Sequence, residues 1–507
     1  MVQISKFENY LYQNNWSNIP SEVIFEIDKY LKKNFKNETL TKIDDILVAK
    51  LIHLNATDPF IKQEKISKIL SLSKDDLIFY NSILRKTPEF QKIIGEFGVA
   101  AKFLQNTILP VIQSGSFDSY SNKKNFFPFK VGLFPGLSCM FKCTFCGRNY
   151  DAVYDRSKLD DGMQMYKRLI KEAPKNDDHR FYIAGGLEPL TNPRIGELIS
   201  DLAKDGFKSS MYTNAYMLTE KFLNKNKELF NLDYLRISIY GTDKEDYIQT
   251  TKHLKGFDQV FSNIPEYIKL KNKIGSKTKF GMNYIILKKY KEKFQELISK
   301  MIEINKEVGL DKNNFDFLTL REDFSIHSDK YNDEDKVQLS KILKSVDELT
   351  KTNKYLKNLY IDYGFALDGL KKGFVKNSLA DSFVSEKEFF NNLGVPHSSV
   401  VVDLYGDVYM FREAGFLDRP GAKRYIIGNL IKDGSMENII ENFNKDKFKV
   451  EAKKEDIEYL DAWDHVVIKL ANQHDSDNKF GIPFSLGPIK DKIKKDETSS
   501  HKIHYSE

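Results

Sequence analysis

Residues 130–147 read KVGLFPGLSCMFKCTFCG: an apolar run, a Pro-Gly turn, then Cys139, Cys143 and Cys146 within eight residues. The run Lys130 to Phe134 predicts a strand, and the glycine-flanked loop after it lets three thiols turn toward one centre. Outward from this point the texture repeats. Short apolar runs predict strands at Arg180 to Ala184, Phe207 to Thr213, Tyr234 to Tyr240, Lys279 to Leu287, Phe315 to Leu320 and Leu359 to Tyr363. Amphipathic stretches predict helices between them, at Gly162 to Ala173, Thr219 to Phe230, Phe257 to Asn272, Tyr290 to Val308 and Asp333 to Thr350. A further helix is bracketed by Asn192 as its cap, Pro193 at its first turn and Gly206 past its end. Regular alternation of this kind predicts an α/β fold with a parallel sheet curved into a β/α barrel, because parallel strands need helical crossovers and cover on both faces.

The flanks differ. In Ser21 to Asn34 the apolar positions Val23, Ile24, Ile27, Tyr30 and Leu31 make one helical stripe, and Ile43, Ile46, Leu47 and Leu51 repeat it after Thr41. Gly98 to Leu104 reads as another helical piece, so residues 1–120 are expected to be a helical N-terminal domain. The barrel is expected over 121–370. Residues 371–489 read as a mixed α+β C-terminal cap, with strands at Ser398 to Leu404 and Asp407 to Phe411 joined at Tyr405-Gly406 and helices at 435–443 and 455–473. The polar stretch 490–507 is expected to be a mobile tail.

Composition narrows the function classes. Of 507 residues 41% are hydrophobic and 30% charged, and 78 Lys+Arg against 72 Asp+Glu leave a net charge of +6. That excess is too dilute to indicate a nucleic-acid or membrane partner. No apolar run approaches membrane-spanning length, and Met1 to Asn15 lacks a basic region followed by an apolar one, so a soluble cytoplasmic protein is expected. Three clustered cysteines exclude a secreted disulfide scaffold.

The cluster has three readings. A structural zinc site wants four ligands in local pairs, and the nearest histidine is the distant His179. Thiolates also hold iron–sulfur clusters, and three ligands for four irons leave one iron open to a small molecule. The bland alternative is three buried thiols without metal.

Cys139, Cys143 and Cys146 at spacing C-x3-C-x2-C, with Phe145 before the last, resemble the signature of the radical S-adenosylmethionine (SAM) enzymes. The resemblance implies a partial (β/α)6 barrel and one 4Fe–4S cluster whose open iron is chelated by SAM. Gly185, Gly186, Leu187 and Glu188 are similar to the family's Gly-Gly-Glu-Pro motif, with Leu187 as an insertion. Asn214, after Thr213, and the alternate positions Arg236 and Ser238 are similar to residues that reach SAM. The resemblance thus implies a cofactor-binding set of Phe145, Gly185, Gly186, Glu188, Asn214, Arg236 and Ser238. The bland readings are a capping Asn214, an ion-paired Arg236 and a packed Ser238.

A closer resemblance, from Asn106 to about Trp463, is to the radical SAM ammonia-lyases of deoxyaminosugar biosynthesis. It is carried by Phe134-Pro135-Gly136, Gly185 to Pro193 (GGLEPLTNP), Tyr212-Thr213-Asn214, Ser238 to Gly241, Thr250-Thr251, Arg321-Glu322-Asp323, Ile361 to Gly364 and Asp403 to Phe416 (DLYGDVYMFREAGF). It implies a nucleotide-linked 4-amino sugar as substrate and a flavodoxin- or ferredoxin-type reductant. Hydrogen removal from sugar carbon 3 and loss of the carbon-4 amine as ammonia would follow. The alternative is another radical SAM reaction on a related nucleotide sugar, such as dehydrogenation. Cations suit a diphosphate, and acids suit an amine and its proton. Arg321, Tyr363 and Arg412 are therefore expected to bind substrate, and Glu322, Asp362 and Glu413 to act in catalysis.

Overall fold

The computed structural model describes residues 6–13, 16–58, 60–98, 109–147, 152–309, 311–322, 331–373, 394–417, 419–445 and 453–479. Lys130–Phe134 forms β1, buried at every position. Six further strands follow with helices between them: β2 (Phe181–Ile183), β3 (Ser210–Thr213), β4 (Tyr234–Ile239), β5 (Lys279–Ile286), β6 (Phe317–Glu322) and β7 (Tyr360–Asp362). Each pairs with the next in parallel. The crossover helices Leu159–Glu172, Ile195–Lys204, Gly256–Lys273, Phe294–Val308 and Asp333–Thr352 bury an apolar face on the sheet. The sheet is open rather than closed, so the barrel is partial, and the parallel run continues past the sixth strand to β7.

The expected hairpin is present, and its first strand joins the barrel sheet. Its strands β8 (Ser399–Asp403) and β9 (Asp407–Tyr409) are antiparallel, and Gly406 between them has φ +81°, a conformation that glycine adopts without strain. β8 also pairs in parallel with β1, from Lys130 opposite Ser399 to Phe134 opposite Asp403. With β10 (Ile426–Asn429) on β9, the order becomes β10-β9-β8-β1-β2-β3-β4-β5-β6-β7. The all-buried SVVVD run of β8 has the continuous apolar character of a strand covered on both faces.

Three local readings change. Asn192 fastens the turn before its helix instead of capping it: its side chain accepts from Arg194 N at 2.8 Å and donates to the Pro135 carbonyl at 3.0 Å, and the helix starts at Ile195. The stretch from Thr219 to Phe230 splits at Asn226 into a helix, Glu220–Lys225, and a 3-10 segment, Lys227–Asn231. Residues 455–473 resolve into a 3-10 segment, Lys454–Tyr459, and a long terminal helix, Ala462–Lys479.

The N-terminal region is helical, as its periodicity requires. The Ser21–Asn34 helix buries Val23, Ile27 and Leu31, and the Asp45–Thr57 helix starts at Asp44, whose carboxylate accepts from Ile46 N and Leu47 N. The helical core also takes in Trp463, Val466, Val467, Leu470 and Ala471 from the terminal helix. That helix packs with the N-terminal region, while its Ile468 belongs to the barrel core and its Trp463 Nε1 donates to Ser398 Oγ, just before β8, at 3.5 Å. Residues 99–104 of the expected Gly98 to Leu104 helix, and the tail 490–507, lie outside the described residues.

Candidate active site

The cysteine loop leaves the carboxyl end of β1 and is tied down on two sides. Thr191 Oγ1 accepts from Leu137 N at 2.9 Å and Ser138 N at 3.1 Å, and Glu188 N donates to Ser138 O at 2.9 Å. On the other side Lys142 N and Thr144 N donate to the carbonyls of Thr251 and Thr250, at 2.8 and 2.9 Å. Phe141 anchors the middle, with its ring 5.7 Å from Tyr216 and 5.9 Å from both Tyr240 and Tyr247. Phe145 packs on Tyr240 at 5.7 Å. Burial, with the Cys143 and Cys139 thiols nearby, pushes the Tyr240 hydroxyl well above its ordinary pKa.

All three cysteines are free of disulfides, Cys143 buried and Cys139 and Cys146 half-buried. Among the described residues no three of His, Cys, Asp and Glu gather around a point for one metal ion. The donor set fits an iron–sulfur cluster: three soft thiolates, no histidine among the loop's neighbours except the ring-packed His253, and an aromatic wall.

Glu188 is buried and fully engaged. It accepts from Thr213 Oγ1 at 2.5 Å, Asn214 N at 2.9 Å and Leu190 N at 3.2 Å, while burial pushes its carboxyl up to about 7. Its carboxylate thus clamps the turn after β2 to the end of β3. The placement it governs is that of Asn214, whose amide lies 3.1 Å from Met140 Sδ and 3.7 Å from Cys139 Sγ. Gly186 is needed for a close approach within the chain itself: a Cβ there would lie 2.6 Å from the Gly415 carbonyl, and one at Gly185 would lie 2.6 Å from that of Leu187. Thr191, Thr213, Thr250 and Thr251 carried no assigned role in the sequence, because their work is hydrogen bonding to groups distant along the chain.

Alternate residues of the strands line the barrel lumen. Arg236 is fully buried, donating from Nη1 to Thr319 Oγ1 at 3.2 Å, with its guanidinium 5.2 Å from the Tyr212 ring and 4.9 Å from Phe317. Ser238, two residues on, is half-buried and hydrogen-bonds the Tyr240 phenol. Arg321 and the buried Asp362 face each other within electrostatic reach; burial lowers the Arg321 pKa, and Tyr212 and Asp362 offset this. Arg412 forms an ion pair with Asp461 at 3.2 Å and stacks 5.0 Å over Tyr182 and 5.2 Å over Trp463. Glu413 keeps 39% of its side-chain surface accessible, and surrounding protein pushes its carboxyl up to about 7 although Arg419 lies 3.6 Å away.

Tyr363 does not join this set. Its hydroxyl donates to Asp347 Oδ1 at 3.1 Å and Lys371 Nζ lies 4.3 Å from its ring, so it faces the outer helices while Asp362, one residue earlier, faces in. The side chain of Glu322 and the whole of Asp323 lie outside the described residues. Tyr182, Thr319, Asp461 and Asp464 contact these residues and were not singled out from the sequence; for the strand residues, two-residue alternation with Arg236 and Arg321 was the available signal.

An open β/α barrel with three clustered cysteines beyond its first strand defines a class, and residues 133–301 match the radical SAM superfamily, to which this chain belongs. Membership implies SAM and a 4Fe–4S cluster. The chain is 34% identical over 420 residues to the dTDP-4-amino-4,6-dideoxy-D-glucose ammonia-lyase of Streptomyces venezuelae, covering 83% of this chain and 85% of that protein. It is 21% identical over 178 residues, 34% of this chain and 48% of the relative, to the tungsten-containing aldehyde ferredoxin oxidoreductase cofactor-modifying protein of Pyrococcus furiosus. Among solved structures, Streptococcus suis SuiB bound to S-adenosylmethionine aligns with a TM-score of 0.42 at 16% identity, over 86% of this chain and 84% of that one.

Proposed function

We propose that this protein removes the carbon-4 amino group of dTDP-4-amino-4,6-dideoxy-D-glucose as ammonia. The observation that carries this reading is the 34% identity to an ammonia-lyase across most of both chains. Cys139, Cys143 and Cys146 would hold a single 4Fe–4S cluster, with Phe145, Gly185, Gly186, Asn214, Arg236 and Ser238 around SAM and Glu188 behind them as the clamp. When bound, these groups supply a 5′-deoxyadenosyl radical able to take hydrogen from sugar carbon 3. The chain's own residues then do the rest. Arg321 would meet the diphosphate and Arg412 the sugar, with water excluded from between them. Glu413, titrating near neutrality, and Asp362 are placed to manage the proton of the leaving amine. A flavodoxin- or ferredoxin-type protein is the electron donor under this reading.

The proposed division keeps a helical region to about 120, a barrel to about 370 and a mixed C-terminal part. Among the described residues no helix is long and apolar enough to cross a membrane. The test is anaerobic turnover with reductant, SAM and the amino sugar. Ammonia and a 3-keto-4,6-dideoxy sugar are expected in equal amounts. Accumulation of 5′-deoxyadenosine without ammonia would replace lyase by oxidation.

A further inference from the structure

On β2 and β3, Tyr182 and Ser210 are register partners and point to the same face. Both are buried, with 3% and 4% exposure, and neither hydroxyl has a hydrogen-bond partner among the described residues. Buried hydroxyls left in this state are the mark of a place completed by a ligand or ordered water. The Tyr182 ring carries the Arg412 guanidinium, and the Arg412 pair, Asp461, comes from the terminal helix.

The charges around that place are uneven. On the wall made by residues 412–419 and 458–464, Arg412 pairs with Asp461 at 3.2 Å and its backbone N–H donates to Asp464 at 3.3 Å, while Arg419 lies 3.6 Å from Glu413 and 3.5 Å from Glu458. Two guanidiniums there meet four carboxylates. Burial holds Glu413 and Asp464 toward the neutral form, as expected of acids short of cations. A ligand carrying an ammonium matches this acid-rich wall.

Asp461 is the acid that joins this wall to Tyr182, through its ion pair with the Arg412 guanidinium stacked on that ring. Its side chain is 20% accessible, Asp464 beside it is buried, and its field reaches Tyr182, Arg321 and Glu413. Taking the proposed substrate as given, we propose that Asp461 receives the sugar's ammonium group and sets the preference for an amino sugar over its 4-hydroxy analogue.

Asp461 also caps the terminal helix, its carboxylate accepting from Asp464 N at 2.8 Å while Asp464 accepts from Asp461 N at 3.2 Å. Asn and Ser cap helices about as well as Asp, so Asp461→Asn and Asp461→Ser remove the charge and keep the cap. Calorimetric titration of cluster- and SAM-loaded protein without reductant reads binding in the absence of turnover. In both variants the Kd of dTDP-4-amino-4,6-dideoxy-D-glucose should rise about tenfold or more, the scale of one charge-assisted hydrogen bond. That of the 4-hydroxy analogue should stay within about twofold and Tm within a few degrees. Unchanged amino-sugar affinity, or equal weakening of both sugars, would overturn the assignment and leave Asp461 a helix cap. Wild-type protein that binds neither sugar would overturn the substrate reading and this inference with it.

Discussion

At the scale of single residues, Glu188 joins two functions that look opposed. It is a buried acid whose three hydrogen-bond donors favour its charge while burial disfavours it more strongly. The folded protein therefore holds a proton on Glu188 between the unfolded value of ~4.3 and about 7, where the unfolded chain has lost it. The stability this contributes is complete below the unfolded value and lost as pH rises through about 7, a total of about 4 kcal/mol. Glu188→Gln should flatten the fall of Tm between pH 5 and pH 8, seen by anaerobic thermal denaturation. An equal slope in both proteins would show that Glu188 is charged throughout. The clustering of the three cysteines was legible because its message is local and rests on residue type. Tyr363 was misread because a strand's facing reverses at each step, and one position decided between lumen and outer helix.

At the scale of elements, the cysteine loop behaves as a splint held at both ends rather than as free loop. Thr191→Val removes the acceptor shared by Leu137 N and Ser138 N and leaves two amide hydrogens without it, a cost of about 1–3 kcal/mol. Lower Tm and faster loss of iron to a chelator are expected, with Thr191→Ser restoring both. Iron retention equal to wild type in the valine variant would show that the Thr250 and Thr251 side suffices. The strands and crossover helices were legible from periodicity, since burial on one face writes itself into spacing. The partner of β8 was not, because strand pairing is settled by packing between segments far apart in the chain, and a hairpin turn speaks only for its own two strands. Asp461 was hidden for a similar reason: as sequence it is a helix cap, and its second neighbour, Arg412, belongs to another segment.

At the scale of the whole molecule, the terminal helix links two cores: Asp461 at its start pairs with Arg412 and Ile468 joins the barrel core, while Trp463, Val466, Val467, Leu470 and Ala471 lie in the N-terminal helical core. Leu470→Ala, far from the lumen along that helix, should cost about 2–5 kcal/mol and loosen the helical core. It should also raise KM for the nucleotide sugar while leaving the SAM affinity near wild type. Unchanged KM in a folded but destabilised variant would separate the two cores. The pairing of β8 with β1 has a consequence for biosynthesis. During translation β1, the strand that leads into the metal-binding thiols, must keep one edge unpaired until most of the chain has been made. Such long-range pairing is slow to form, and an open apolar edge invites association with other chains. The order of events in the cell then matters: iron delivered before the carboxyl-terminal third has docked would meet a loop whose supporting strand is only half held, so maturation and folding compete for the same interval.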